Sequence, residues 1–178
     1  MTNFAPIDLD TATGKAAELL VQVKKSMGKT PNMTKVMANS PTLLQSYLAL
    51  SGAVARGTLK PAVRERLAIA SAQLNGCEYC LSAHTFTGAN IAKIDAAELD
   101  RARRAESEDV HTEALLKLST TIAANAGDVN DDELKAARDA GVSDEEIGEL
   151  VANVALNTMT NYFNVLAQVE NDWPVVSL

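Results

Sequence analysis

Apolar residues recur at every third or fourth position through most of this chain, and this spacing constrains the fold more than any other feature. The alternation of apolar and polar residues that half-buried strands need is scarce, alanine is abundant, and aromatic residues make up only 4% of the composition. The sequence therefore predicts an all-α fold, a compact multi-helix domain. A faint similarity between LLQSYLAL followed by AIASAQLN and LLKLSTTI followed by ELVANVALN leaves an internal helical repeat open.

Capping signals divide the chain into helices. Pro41 after Ser40, and Pro61, are typical of helix starts. Glycines mark predicted stops, at Gly28, Gly127 and Gly141. Capping boxes are predicted for three pairs, Asp95 with Glu98, Asn130 with Glu133, and Ser143 with Glu146. The uncharged run from Leu67 to Cys77 predicts a helix that is buried on most sides and lies at the centre of the fold.

Length and charge narrow the class of protein. A chain of 178 residues is long enough to bury its own core, so residues 1–178 are expected to form a single helical domain. Sixteen basic against twenty-three acidic residues give a net charge of −7, which disfavours nucleic acid and anionic membranes as partners. The uncharged runs are too short to cross a bilayer. The N-terminus, MTNFAPIDLD, does not resemble a signal peptide, so a cytoplasmic protein is expected.

The segment CEYCLSAH, residues 77–84, combines two thiols with an imidazole. Residues three and four apart share a face of a helix, so Cys77, Cys80 and His84 are expected to form one short stripe. The Cα atoms of residues three apart on a helix lie about 5 Å from each other, within the range that a disulfide requires. The pair can therefore open and close reversibly, and in a reducing compartment this favours a redox role over a structural bridge.

A reactive cysteine needs its thiolate form, and two features of the sequence can lower a thiol pKa here. The start of the helix carries a partial positive charge that acts most strongly on Cys77. His84 follows Cys80 by four residues and acts on that thiol instead. The sequence leaves open which sulfur attacks first.

Glu65 is a third candidate, because it falls in line with Ile69, Ala72 and Gly76, a row that is otherwise apolar. A partly buried carboxylate beside an imidazole can orient it and take part in a proton relay. The alternative is that Glu65, one of three consecutive charges, simply caps and solubilises a helix start.

Other interpretations of the cysteine pair stay open. A structural disulfide suits small secreted chains better than this one. Cys77, Cys80 and His84 are suitable zinc ligands, but a structural zinc site needs four ligands. The only other histidine, His111, lies in a charged segment before another helix. An inert packed pair leaves the spacing of His84 unexplained. We therefore predict no metal and no cofactor.

Three further features are interpreted as structural. His111 is expected to be a solvated residue near a helix N-terminus. Trp173 is expected to pack a terminal tail onto the body of the protein or onto a neighbouring subunit. Four asparagines recur at helical spacing on the last long helix and predict a buried hydrogen-bond ladder or an interface seam, with a pocket role as the alternative, at Asn153, Asn157, Asn161 and Asn164.

The pattern E-x11-C-x-x-C-x3-H, formed by Glu65, Cys77, Cys80 and His84 and including Tyr79, resembles the active site of alkylhydroperoxidase D-like proteins, within the wider carboxymuconolactone decarboxylase family. The resemblance covers about residues 41–92. It implies an all-helical fold, homo-oligomers such as trimers or hexamers, and thiol-dependent reduction of hydroperoxides. It also implies an external dithiol reductant, for which the family suggests a dihydrolipoyl protein.

By this resemblance Cys80 corresponds to the peroxidatic cysteine and Cys77 to the resolving one, while Glu65 and His84 correspond to a proton relay that activates Cys80. The position of Tyr79 often holds a second histidine in the best-known members. Since a tyrosine hydroxyl is a poor base near neutrality, the relay is expected to be shorter or weaker here. Two alternatives stay open: the lactone decarboxylase chemistry of the wider family, which needs no cysteine pair, and a non-enzymatic helical oligomer that senses redox state.

Overall fold

The all-α prediction is confirmed by the computed structural model, which describes residues 2–178. Within this range the secondary structure consists of helices and turns, without strands. None of the helices found there is long and apolar enough to cross a membrane. The helices are α1 (Gly14–Met27), α2 (Asn32–Met37), α3 (Pro41–Val54), α4 (Pro61–Leu74), α5 (Glu78–Asn90), α6 (Ala96–Ala102), α7 (Val110–Ala124), α8 (Asp131–Asp139) and α9 (Asp144–Ala167).

Most helix ends follow the capping signals of the sequence. The Ser40 side chain accepts the N–H of Leu43, with Pro41 as the first residue of α3. Gly28 ends α1 with a φ of 76°, in the left-handed region that glycine enters without strain. Both halves of the predicted capping boxes form at the starts of α8 and α9.

The predicted capping box at Asp95 and Glu98 is only half formed. Asp95 accepts the N–H of Glu98 at 2.8 Å, but the Glu98 carboxylate turns away, to Arg66 at 2.7 Å and Ser107 at 2.6 Å. The reason is that Arg66 is largely buried, and a buried guanidinium left without a counter-charge is costly. Burial acts to raise the pKa of Glu98, but hydrogen bonds from Ser107 and from the Glu108 N–H hold it below its usual range.

The helix α4 lies at the centre of the fold, in contact with α5, α6, α7 and α9. Its residues Ile69 and Ala72 belong to one apolar cluster, which also contains both cysteines. On its other side Val63 and Leu67 join a second cluster, built with α7 and α9. The predicted burial of the uncharged run holds for 67–72 and for Cys77 but not for the residues between them, because Leu74 and Gly76 are exposed where α4 ends and the chain turns into α5.

Candidate active site

A tight turn between α4 and α5 positions the cysteines. Gly76 adopts a φ of 64°, which favours glycine, and the next residue, Cys77, is the N-cap of α5. Its sulfur accepts the N–H of Cys80 at 3.3 Å, and its own N–H donates to the Ala72 carbonyl at 2.9 Å. Cys77 therefore stands just outside the helix, and Cys80 lies within its first turn.

The two thiols are free, buried and in contact. Their sulfur atoms lie 2.7 Å apart, and Cys77 and Cys80 are 1% and 3% exposed. A disulfide has a sulfur–sulfur bond of about 2.05 Å, so the pair can close with little movement of the backbone. Of the stripe predicted for Cys77, Cys80 and His84, the two sulfurs are in contact, and Cys77 is the cap of α5 while Cys80 and His84 lie within this helix.

Glu65 and His84 form a hydrogen-bonded pair between α4 and α5. His84 Nδ1 lies 2.8 Å from Glu65 Oε2, and both side chains are half-buried. Burial acts to lower the pKa of His84, but the charges of Glu65 and of a Cys80 thiolate outweigh it and raise this pKa. The inward direction predicted for Glu65 is thus present in the structure, and the pair favours a protonated imidazole beside the thiols.

The two thiols differ in acidity, because one donates a hydrogen bond to the other. The S–H of Cys77 and the charge of His84 stabilise the Cys80 thiolate against the cost of burial, and the pKa of Cys80 falls to about 7. The same hydrogen bond, together with burial, raises the pKa of Cys77. The lower pKa of Cys80 favours a thiolate at Cys80 over one at Cys77.

Asn164 of α9 also contacts Cys80. Its Nδ2 lies 3.1 Å from Cys80 Sγ and 3.2 Å from Met33 Sδ, and the side chain is buried. The predicted asparagine ladder is not observed, because Asn161 accepts instead from Ser71 and Asn75, and the four amides form no hydrogen bonds with one another in the part of the chain that is described. Asparagine on the inner face of an apolar helix was the sequence signal for this contact.

Tyr79 has hydrogen-bond partners other than the proton relay. Its hydroxyl donates to Asp172 Oδ1 at 2.8 Å and accepts the N–H of Met33 at 3.2 Å. Burial, reinforced by Asp172, raises the pKa of Tyr79 further above neutrality. The tyrosine thus connects α5 to α2 and to the C-terminal residues.

A pocket of about 240 Å³ opens onto the reactive groups. Four predicted site residues line it: Glu65, Tyr79, Cys80 and His84. Its apolar wall includes Met27, Met33, Leu156 and Trp173. A larger cleft of about 660 Å³ between α7 and α8 shares no residue with this pocket. The candidate site is therefore the smaller pocket, with Cys77 directly behind Cys80.

His111 lies away from this pocket, on α7, where its Nε2 is 3.3 Å from a Glu146 oxygen. It is half-buried rather than solvated, because α9 packs its Glu146 against it. Throughout residues 2–178, no three His, Cys, Asp or Glu side chains are grouped so that they could hold a metal ion.

The segment that carries the cysteines is similar to a known protein family. Residues 41–109 match the sequence model of the carboxymuconolactone decarboxylase family. The chain has no significant match among curated proteins. This match supports the family predicted from the sequence over residues 41–109, and the whole chain has the alkylhydroperoxidase D-like fold.

The fold is shared with several solved structures. An uncharacterized peroxidase-related protein with an alkylhydroperoxidase core from Ralstonia eutropha JMP134 is 19% identical with a TM-score of 0.84, over 96% of this chain and 92% of that chain. An uncharacterized peroxidase-related protein from Silicibacter sp. TM1040 is 19% identical with a TM-score of 0.78, over 96% and 94%. A cysteine-to-alanine variant of the debrominase Bmp8, in complex with 2,3,4-tribromopyrrole, is 16% identical with a TM-score of 0.79, over 97% and 92%.

Proposed function

We propose that this protein is a thiol-dependent peroxidase that reduces organic hydroperoxides. The observation that carries the proposal is the Cys80 sulfur at the wall of the pocket, in contact with Cys77 and beside the Glu65–His84 pair. A nucleophile with a lowered pKa, a second thiol and a proton donor are the groups that this reaction needs. Structural neighbours that are peroxidase-related proteins support the same reaction.

In the first step the Cys80 thiolate attacks the terminal oxygen of the hydroperoxide. A sulfur–oxygen bond forms while the oxygen–oxygen bond breaks, and Cys80 becomes a sulfenic acid. The leaving alkoxide takes a proton from the His84 imidazolium and departs as an alcohol. Glu65 holds the imidazole in place and favours its protonated form between turnovers.

In the second step Cys77 attacks the Cys80 sulfenic acid, which forms a disulfide and releases water. This protects Cys80 from further oxidation. An external dithiol, proposed to be a dihydrolipoyl protein, then reduces the disulfide and is itself oxidised. The sum is one hydroperoxide and one dithiol converted into an alcohol, water and one disulfide.

The debrominase neighbour favours a second candidate reaction, reductive removal of bromine from a small aromatic substrate. Two thiols and one carbon–bromine bond yield a carbon–hydrogen bond, a disulfide and hydrogen bromide, so the same cysteine pair supplies both electrons. Lactone decarboxylation is less well supported, because it does not need the paired cysteines.

Free-thiol titration of the reduced protein tests these candidates. One equivalent of cumene hydroperoxide is expected to consume both thiols and to release 2-phenyl-2-propanol. A brominated pyrrole that consumes the thiols and releases bromide, where the hydroperoxide leaves them intact, supports debromination instead. Thiols that survive both reagents contradict a redox enzyme.

Asn164 is proposed as a positioning residue that stabilises the Cys80 thiolate through its N–H. A hydrogen bond to a charged group contributes about 1.5–3 kcal/mol. At a pH below the pKa of Cys80, Asn164→Leu is therefore expected to reduce the fraction of Cys80 in the thiolate form by at least about tenfold. The pKa of Cys80 then rises, and the rate of alkylation by iodoacetamide at pH 6 falls by the same factor. The measurement is the pH dependence of that rate.

Asn153→Leu is the matched control, because Asn153 is also a buried asparagine on α9 but donates to its own helix, at Glu149 O. Its Cys80 alkylation profile is expected to match the wild type. Equal profiles for Asn164→Leu and wild type contradict the role of Asn164.

We further propose a homo-oligomer, a trimer or hexamer, assembled through α9. Several large apolar side chains of this helix are at least half exposed, at Val151, Tyr162, Val165 and Leu166. Exposed apolar patches of this kind mark interaction surfaces. Sedimentation equilibrium is expected to give a molecular mass that is a multiple of the chain mass of 18.9 kDa. The Leu166→Glu variant is expected to have a lower molecular mass in solution. A monomeric wild-type protein contradicts the assembly.

A further inference from the structure

Residues 169–178 form a non-helical tail that crosses α5 and reaches the active-site pocket. The buried Ser82 hydroxyl of α5 accepts two hydrogen bonds from this tail, from Asn171 Nδ2 at 2.9 Å and from the Val176 N–H at 3.0 Å. Arg103 donates to the Ser177 carbonyl at 2.9 Å. The tail is thus fixed to the body of the protein at several points, as the sequence predicted for the region around Trp173.

Trp173 is held at the wall of the pocket by its neighbours. Its ring lies 5.5 Å from that of Phe86 between centroids, and the Lys29 ammonium lies 3.4 Å from its ring centroid. The Trp173 backbone N–H donates to Asn171 Oδ1 at 3.0 Å, while the adjacent Asp172 accepts from Tyr79. These contacts fix the position of the indole before any ligand enters.

The indole Nε1–H of Trp173 is buried and has no protein acceptor in hydrogen-bond geometry, although it lies close enough to the Tyr79 hydroxyl to act to lower the pKa of Tyr79. Among the described residues, Asn164 Oδ1 is the only other buried side-chain oxygen or nitrogen without a partner. Buried indole N–H groups normally find an acceptor, so an unpaired one needs an explanation. Here the indole lines the same pocket as Cys80 and His84. A ligand in that pocket can supply the missing acceptor.

We propose that Trp173 is a substrate-binding residue whose Nε1–H donates to an oxygen of a small, uncharged organic hydroperoxide and of its alcohol product. This substrate assignment rests on the function proposed above. The volume of about 240 Å³ is below the range of about 300–1,000 Å³ that is typical of pockets for drug-sized ligands. The Met27, Met33 and Leu156 side chains offer an apolar wall for a compact hydrocarbon group, which favours an uncharged substrate.

The bond from Trp173 strengthens as the reaction proceeds. When Cys80 attacks the terminal oxygen, the breaking oxygen–oxygen bond leaves negative charge on the oxygen that departs. A fixed N–H donor stabilises developing charge of this kind more than it stabilises the neutral ground state. His84 supplies the proton that completes the alcohol, and the indole keeps its own proton throughout.

The single tryptophan of the chain permits a direct binding test, because its indole N–H gives one NMR cross-peak. We expect 2-phenyl-2-propanol, titrated into the reduced protein, to move this peak downfield until it saturates. Isopropylbenzene has the same carbon skeleton without the oxygen and is expected to cause no such downfield shift. Equal effects of the two probes, or no saturable shift with the alcohol, overturn the assignment.

Trp173→Phe tests the role in turnover, since phenylalanine retains an aromatic ring but lacks the donor. We expect kcat/KM for cumene hydroperoxide to fall at least about tenfold, while the rate of Cys80 alkylation by iodoacetamide stays unchanged. An unchanged kcat/KM overturns the role of Trp173. A wild-type protein that turns over no hydroperoxide but shows the alcohol-dependent shift overturns the proposed function and leaves the binding role of Trp173 standing.

Discussion

Cys80→Ser is expected to abolish hydroperoxide reduction, with a loss of at least about a thousandfold in rate, because a serine hydroxyl does not ionise near neutrality. The variant retains the shape of the site, so its Tm is expected to stay close to that of the wild type. The measurement is the consumption of cumene hydroperoxide in the presence of a dithiol. Turnover by Cys80→Ser at the wild-type rate would show that another group attacks the peroxide.

Cys77→Ser is the matched variant, since it removes the neighbouring sulfur and leaves Cys80 in place. It is expected to consume the first equivalent of hydroperoxide rapidly and then to lose catalytic turnover, because no second thiol is available to form the disulfide. Excess peroxide then carries Cys80 to sulfinic and sulfonic acids, which mass spectrometry detects as added oxygen atoms. Sulfenic acid found on Cys77 of the wild type, and none on Cys80 of Cys77→Ser, reverses the two roles.

His84→Ala is expected to slow the reaction with hydroperoxide about a hundredfold at pH 7, because it removes both a proton donor and a positive charge beside Cys80. In the wild type the rate rises with pH as Cys80 ionises, with a midpoint near its pKa of about 7, and falls again at higher pH, where the His84 imidazolium loses its proton. Loss of the imidazolium raises the pKa of Cys80, so the midpoint of the variant moves to higher pH. Stopped-flow rates from pH 5 to 9 measure both effects.

Glu65→Gln is expected to change the pH dependence of the hydroperoxide rate less than His84→Ala does. The amide can still hydrogen-bond to His84, but without the negative charge the pKa of His84 falls and less imidazolium is present. His111→Ala is the control, since His111 pairs with Glu146 and lies outside the pocket. A loss of rate in His111→Ala equal to that in His84→Ala would indicate a general effect on folding.

The sequence predicted the parts of the fold that local interactions determine. Ser40 with Pro41, and Gly28, give correct helix ends because caps act within one turn. The Asp95–Glu98 pair has the same local signal, but its glutamate pairs with Arg66, which lies on another helix. A tertiary contact of this kind outweighs a local preference and cannot be read from spacing.

In the candidate site, too, the local contacts could be predicted from the sequence and the contacts between distant residues could not. Cys77, Cys80 and His84 lie at the start of one helix, so their proximity follows from their spacing in the sequence. Glu65 lies on the apolar face of its own helix, which predicted that its side chain points inward. Asn164 and Asp172 reach the site from positions 84 and 93 residues away in the chain. No periodicity links such distant residues, and so the contacts of Cys80 with Asn164, and of Tyr79 with Asp172, became visible only in the folded chain.

The depth of the two sulfurs has a consequence for how the oxidised enzyme is restored. Cys77 and Cys80 are almost completely buried. A reductase whose own cysteine lies on its protein surface therefore cannot contact either sulfur atom. The pocket that Cys80 lines is the route by which a reductant can reach the cysteine pair. For the proposed peroxidase we therefore expect a reductant whose thiol sits at the end of a long, narrow flexible group, so that the dimensions of this group, more than complementarity between protein surfaces, determine which dithiol serves as electron donor.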